Sequence, residues 1–247
     1  MRVAIFSDIH ANREAFDACL AHAARQSVER YVFLGDLVGY GADPQYVVDR
    51  VVRFAEDGAV VLKGNHDEAA TTGANEGMND YARKAIDWTF NQLDDASRDF
   101  LSGLPIFLEE EDRLYVHSEA TMPAEWRYIT DAATAERSMR ATAKRITFCG
   151  HVHIPQLYNM SPQKPAQYFE PKPNIAIPLI GQRQWLAVMG ATGQPRDKNP
   201  AAAYAVLDTT KKDITYFRIA YDMEPTSKKI HAAGLPAILA ARLFVGR

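Results

Sequence analysis

Five of the seven histidines in this 247-residue chain fall in short polar blocks: Asp8-Ile9-His10, Gly35-Asp36, Gly64-Asn65-His66-Asp67, His117 and Gly150-His151-Val152-His153. Imidazoles combined with carboxylates suit zinc or transition metals, whereas an all-oxygen set suits magnesium or calcium. In extended backbone, residues two apart point to the same side, so Asp8 with His10, and His151 with His153, can each reach one metal site. Gly35, Gly64 and Gly150 permit sharp turns beside these side chains. A lone Asp after a strand is ordinarily a turn or cap, and a lone His a surface or satisfied core residue. It is the joint occurrence that points to a metal site. His22, inside a helical pattern, and His231, in the C-terminal tail, stand outside it.

Each block follows a predicted strand. Short apolar runs at residues 3–6, 31–34, 59–62, 114–116 and 146–149 read as strands alternating with helices, the pattern of βαβ units. Asn12 can cap a helix whose apolar face is Phe16, Cys19, Leu20 and Ala23, and Pro44 suits the first turn of one carrying Val47, Val48, Val51 and Phe54. Met78, Tyr81, Ala82, Ala85, Trp88, Thr89 and Leu93 form a further helical face before Leu104-Pro105. Residues 132–142 read as a helix, 204–207 and 214–219 as antiparallel strands, and 236–243 as a short C-terminal helical tail. Pro162, Pro165, Pro171, Pro173 and Pro178 mark 154–190 as a loop-rich excursion or irregular hairpin. No linker interrupts the chain, so residues 1–247 are expected to form a single domain. In open α/β sheets, ligands bind outside the carboxyl ends of the strands, where these blocks would converge.

Composition excludes several classes. With 47% hydrophobic and 24% charged residues the chain is globular rather than disordered, and no apolar run reaches the ~18–20 residues of a membrane span. No signal-peptide core stands at the N-terminus, so a cytoplasmic location is expected, without membrane partners. A net charge of −3, from 28 Lys+Arg against 31 Asp+Glu, argues against nucleic acid as a partner. Cys19 and Cys149 are too few for a disulfide framework and suit a reduced interior.

The ordered blocks resemble those of the calcineurin-like metallophosphoesterase superfamily, D-x-H, G-D, G-N-H-[DE], H and G-H-x-H, more specifically a compact bacterial or archaeal branch of phosphoesterases. The resemblance implies an α/β fold, a four-layer αββα sandwich of two mixed β-sheets flanked by helices. It also implies two divalent or transition-metal ions, manganese foremost, with iron, zinc, nickel or magnesium as alternatives. By this similarity Asp8, His10, Asp36 and His153 hold the first ion, and Asp36, Asn65, His117 and His151 the second. His66, unassigned to either, is left to stabilise the transition state or protonate the leaving oxygen. The implied reaction is attack by a metal-bridging hydroxide on a phosphodiester or phosphoanhydride, a small nucleotide-type substrate being favoured.

Two departures bear on the substrate. Protein Ser/Thr phosphatases extend the second block with an Asp and an Arg, and here those positions are Gly39 and Tyr40. A Tyr hydroxyl can bond phosphate but brings no fixed charge. Arg196, in a Gly193-Gln194-Pro195-Arg196 segment similar to one in this branch, and Arg13, one turn from His10, are candidate replacements for that Arg. With Tyr40 and Asn65 they make up the expected substrate contacts. Tyr40, Trp126, Tyr128, Tyr158 and Trp185 are candidates to border the cleft, where stacking on a nucleobase is available. The alternatives are a Ser/Thr phosphoprotein phosphatase or other phosphomonoesterase, and a non-enzymatic metal-binding scaffold.

Overall fold

The computed structural model describes residues 1–74 and 77–247. β1 (Arg2–Phe6) shows how the layers arise: its apolar run is buried on both faces, as a central strand requires. Val3 and Ile5 point into one core and Ala4 and Phe6 into another, the two-residue alternation of a strand. The first sheet also contains β2 (Arg30–Phe33), β3 (Val60–Val61), β9 (Ala176–Pro178), β11 (Ala202–Asp208) and β12 (Asp213–Ile219), in the order β3-β2-β1-β11-β12-β9. The second contains β4 (Phe107–Glu110), β5 (Arg113–Val116), β6 (Ile146–Cys149), β7 (Gln156–Ser161), β8 (Lys164–Phe169) and β10 (Gln184–Val188), in the order β4-β5-β6-β10-β7-β8. β1, β2 and β3 run parallel, as do β5, β6 and β10, and the other pairings are antiparallel.

Val3, Ile5, Tyr115, Phe148, Trp185 and Tyr216 fill the layer between the sheets. On the outer face of the first sheet lie α1 (Arg13–Ala24), α2 (Pro44–Glu56), α3 (Asn65–Thr72) and α5 (Asp95–Gly103), sharing a core built on Phe6, Phe16, Phe33, Val47, Ala69 and Leu101. α6 (Ala132–Arg140) covers the second sheet through Ala135 and Met139. α4 (Asp80–Gln92), α7 (Glu224–Ala232) and α8 (Ala237–Val245) form a further cluster around Ala85, Ile230 and Leu239. The expected sandwich of two mixed sheets flanked by helices is therefore the fold observed. Among the described residues no helix is long and apolar enough to cross a membrane.

The excursion over 154–190 carries β7 to β10 rather than loops, and its irregular-hairpin reading fits β7 and β8, which pair antiparallel with a register shift between Asn159 and Ser161. Its prolines mislead because Pro165 and Pro178 lie in β8 and β9, the edge strands of their sheets. An edge strand leaves one row of N–H groups unpaired, so a residue without an N–H is tolerated there. The short C-terminal helix expected over 236–243 is α8, and α7 precedes it as a helix the sequence pattern did not predict. Asn12 caps α1 as expected, its side chain accepting from Ala15 N.

Candidate metal centre

The polar blocks meet at the carboxyl ends of β1, β2, β3, β5 and β6. Single ligand atoms of Asp8, His10, Asp36 and His153 lie within 4.8 Å of one another, as do those of Asp36, His117 and His151, all of them buried. Asp36 is common to both groups: His10 Nε2 is 3.6 Å and His117 Nε2 3.4 Å from its Oδ2.

The convergence does not come from extended backbone, as the two-residue spacing suggested. Asp8, His10, Asp36, His151 and His153 have φ of 54°, 49°, 53°, 67° and 64°, in the left-handed region. That conformation costs an L-residue about 1–2 kcal/mol, and Asp and His tolerate it better than most. The turns are held by bonds between strand-end loops: Asp8 N donates to Gly35 O (3.1 Å), His10 N to Asp36 O (2.9 Å) and Gly193 N to Asp8 O (2.9 Å). Asp67 adds a clamp, accepting from Leu37 N at 2.8 Å and Gly64 N at 2.9 Å, which ties the loop after β2 to the start of α3. At Gly64 a Cβ would lie 2.2 Å from Asp36 Oδ1, so only glycine admits this approach.

Backbone carbonyls fix the tautomers of four imidazoles. His10 Nδ1 lies 3.1 Å from Val38 O, His153 Nδ1 2.7 Å from Gln194 O, His117 Nδ1 2.9 Å from Leu34 O, and His151 Nε2 2.8 Å from Trp126 O. A carbonyl can only accept, so each of these nitrogens carries the proton and the other ring nitrogen of a neutral imidazole is a lone pair. The lone-pair nitrogens face one another, His10 Nε2 against His153 Nε2 at 3.1 Å and His117 Nε2 against His151 Nδ1 at 3.2 Å. Two acceptors at that distance repel unless a proton or a cation stands among them. Asn65 Oδ1 is also buried without a hydrogen-bond partner. The donor set therefore fits divalent ions, with outer partners orienting each ligand.

The electrostatics agree. Burial works to raise Asp36, but His117, His66 and His10 outweigh it and hold this carboxyl well below the usual range. His117 is pushed up to about 9: burial opposes its charge, but Asp36, Asp8 and Asp67 prevail, so near neutral pH a proton on its Nε2 stands between it and His151 Nδ1 where an ion would otherwise stand. Burial and the Asp36 charge push Asp8 up to about 6 and Asp67 up to about 7. Buried carboxylates here compete for too little positive charge, a deficit that cations would remedy.

His66 stands apart from the two groups. Its ring lies between Tyr40 and His10, at centroid distances of 4.4 Å and 4.8 Å, and its Nδ1 is buried without a partner. Gly39 forms a seat for this ring: a Cβ there would lie 2.4 Å from Nδ1. Packing thus orients His66. Burial, followed by Arg196 and His117, brings its pKa down to about 4 against the pull of Asp36.

Of the two candidate arginines, Arg196 belongs to the site. Its guanidinium lies over the Tyr40 ring at 5.6 Å and bonds Gln194, and its charge depresses the pKa of His10, His66 and His153. Arg13 is turned to other partners on α1 and α2, pairing with Asp17 at 3.6 Å and covering the Tyr46 ring at 4.1 Å. A cleft of about 210 Å³ opens beside the cluster, lined among others by Tyr40, Asn65, His66, Trp126, Tyr128 and His151. Tyr128 stacks on His151 at 4.0 Å and remains half-exposed. Tyr158 and Trp185, also candidates for this wall, are buried in the α6 and inter-sheet cores instead. Sequence reasoning assigned no role to Asp67 or to the four carbonyls; Asp67 at least sits inside a recognised block, whereas a carbonyl leaves no residue-type signal.

Residues 1–212 match the family model of the calcineurin-like phosphoesterase superfamily domain. The chain is similar to an uncharacterized protein of Methanocaldococcus jannaschii, 31% identical over 99% of this chain and 98% of that protein. Among solved structures it is similar to a metallophosphoesterase from Sphaerobacter thermophilus, with 33% identity, a TM-score of 0.88 and coverage of 100% of this chain and 99% of the other. A hypothetical protein from Pyrococcus horikoshii, 18% identical with a TM-score of 0.81 and coverage of 100% and 98%, shares the fold.

Proposed function

The chain belongs to the calcineurin-like phosphoesterase superfamily, and from that premise we propose that it hydrolyses a phosphodiester or phosphoanhydride, with a small nucleotide-type substrate favoured, using two divalent ions. The observation that carries this reading is the set of four carbonyl-fixed imidazoles whose lone pairs converge around the shared carboxylate of Asp36. Asp8, His10, Asp36 and His153 would hold one ion, and Asp36, Asn65, His117 and His151 the other. Manganese is the first choice by the family likeness, and the four imidazoles of the set suit iron, zinc or nickel as well. Such ions activate water as a nucleophile near neutral pH and offset charge on the phosphoryl oxygens.

The chain's own side chains do the rest. Arg196 supplies the fixed positive charge that Tyr40 lacks, and the Tyr40 ring carries its guanidinium. His66 lines the cleft and stays out of both ligand groups, which supports a role for its imidazole toward the leaving oxygen. The negative charge of a phosphate ester bound beside it works against burial and the charge of the ions, and so favours the protonated imidazole that can donate to the leaving oxygen. The aromatic wall of Trp126 and Tyr128 supports a planar leaving group, and a cleft of about 210 Å³ supports a small one.

The test is removal of metal with a chelator, reloading with manganese, and assay on bis(p-nitrophenyl) phosphate, p-nitrophenyl phosphate, a dinucleoside polyphosphate and a phosphopeptide. Chelation is expected to abolish turnover and manganese to restore it, with diester or anhydride preferred. His66→Ala is expected to lose ~10²–10⁴-fold in kcat while keeping both ions. Preference for the phosphopeptide would replace the reading with a phosphoprotein phosphatase. Metal-replete protein inactive on every substrate would replace it with a metal-binding scaffold.

A further inference from the structure

Trp126 follows the short 3-10 turn Pro123–Glu125 with φ 52° and ψ 40°. A bulky side chain in this left-handed region is an outlier that persists only where its surroundings over-determine it. Three contacts do so. The Trp126 carbonyl accepts the Nε2 proton of His151 at 2.8 Å, and its indole N–H donates to Glu68 Oε2 at 2.9 Å. Its ring stands edge-to-face with His117, at a centroid distance of 5.8 Å and 71°. One residue thereby touches both histidines of the second ligand group and the helix that begins at Asn65.

The link to Glu68 reaches Asn65 through helix geometry. Residues three apart are neighbours on one helix face, so a fixed Glu68 restrains the face of α3 that carries Asn65, beside the core packing of Ala69 and Ala70 and the bond from His66 N to Asp36 Oδ1 at 2.8 Å. α3 has only eight residues, too few to hold an orientation without tertiary anchors. Asp67 anchors its backbone end through Gly64, Leu37 and Val38, and Glu68 anchors its flank through Trp126. An indole N–H on a carboxylate is a charge-assisted bond, stronger than a neutral one.

We propose that Trp126 is a positioning residue for the second ligand group, holding His151 through its carbonyl and Asn65 through Glu68. This inference rests on the two-ion reading, because it concerns how the second ion is retained. Its failure is distinguishable from failure of that reading.

The experiment is calorimetric titration of metal-free, full-length protein with Mn²⁺, comparing wild type with Trp126→Phe, Glu68→Ala, Glu68→Gln and the double variant Trp126→Phe/Glu68→Ala, each checked for folding by circular dichroism. Trp126→Phe keeps the carbonyl and an aromatic ring, and removes the N–H donor together with part of the ring surface that meets His117. Trp126→Phe and Glu68→Ala are each expected to weaken one of two Mn²⁺ affinities by ~10-fold or more, the usual effect of losing an outer-shell partner, with the other affinity unchanged. Glu68→Gln retains an oxygen that accepts the indole proton and is expected to stay within ~3-fold of wild type. The double variant is expected to be no weaker than either single one, because both remove the same bond. The proposal is overturned if wild type binds two ions and both single variants match it, if Glu68→Gln is as damaging as Glu68→Ala, or if the two losses add. Wild type binding fewer than two Mn²⁺ would overturn the two-ion reading and this inference with it.

Discussion

Gly39→Ala probes the packing that orients His66. The new Cβ would stand 2.4 Å from His66 Nδ1 and 3.1 Å from its Cγ, where ordinary contact begins at 3.4 Å, so the ring must retreat by about 3.4 − 2.4 = 1.0 Å. It has little room, because His66 is 4% exposed and lies between Tyr40 and His10. Misplacing a catalytic group by ~1 Å costs ~10²-fold in rate, or about 2.7 kcal/mol of transition-state stabilisation. The φ of 83° at this position adds about 1–2 kcal/mol of backbone strain once a Cβ is present. For a chain of this size that strain lowers Tm by ~2–8 °C. Neither ligand group includes Gly39 or His66. Kinetics on bis(p-nitrophenyl) phosphate, metal content by mass spectrometry and a thermal melt together are expected to show kcat down ~100-fold, metal content unchanged and a modestly lower Tm. A folded variant with kcat within ~3-fold of the parent would refute the claim that His66 acts from this seat. A matching loss of bound metal would show that Gly39 supports the ligands instead.

Arg196→Ala is expected to lower kcat/KM by ~10–100-fold, the effect of one charge-assisted bond to phosphate, with metal content unchanged; kinetics equal to the parent would remove Arg196 from substrate binding. Lys229 joins α7 to the neighbouring α1 and to the start of α2, its Nζ lying 2.6 Å from Glu14 and 2.8 Å from Asp43. Burial works to raise Glu14, but its bonds to Lys229 and Thr226 outweigh it and leave this carboxyl below its usual range. A group lowered on folding stabilises above its unfolded pKa of ~4.3 and loses that contribution as pH falls through its folded value. Lys229→Met is therefore expected to cost about 1 kcal/mol at pH 7, discounted for a side chain 35% exposed, and to flatten the fall in stability below ~pH 5 in denaturant titrations. An unchanged acid limb would refute this assignment.

The strands of the first sheet's parallel half, the cap at Asn12 and the strand-end position of each polar block were legible in the sequence because they depend on local period and residue type. So was the resemblance carried by those blocks. β8 and β9 were not legible, since a proline reads as a break until the tertiary structure shows that its strand lies at an edge. The site divides in the same way. Residue types and spacing determined which side chains could bind a metal, but the left-handed backbone at Asp8, His10, Asp36, His151 and His153, and the tautomers of their imidazoles, depend on partners elsewhere in the chain. His10 is set by a carbonyl 28 residues away, His153 by one 41 away and His117 by one 83 away. Every residue owns a carbonyl, so such an acceptor leaves no trace in the sequence; only folding decides which imidazole it faces, and hence where the lone pairs meet.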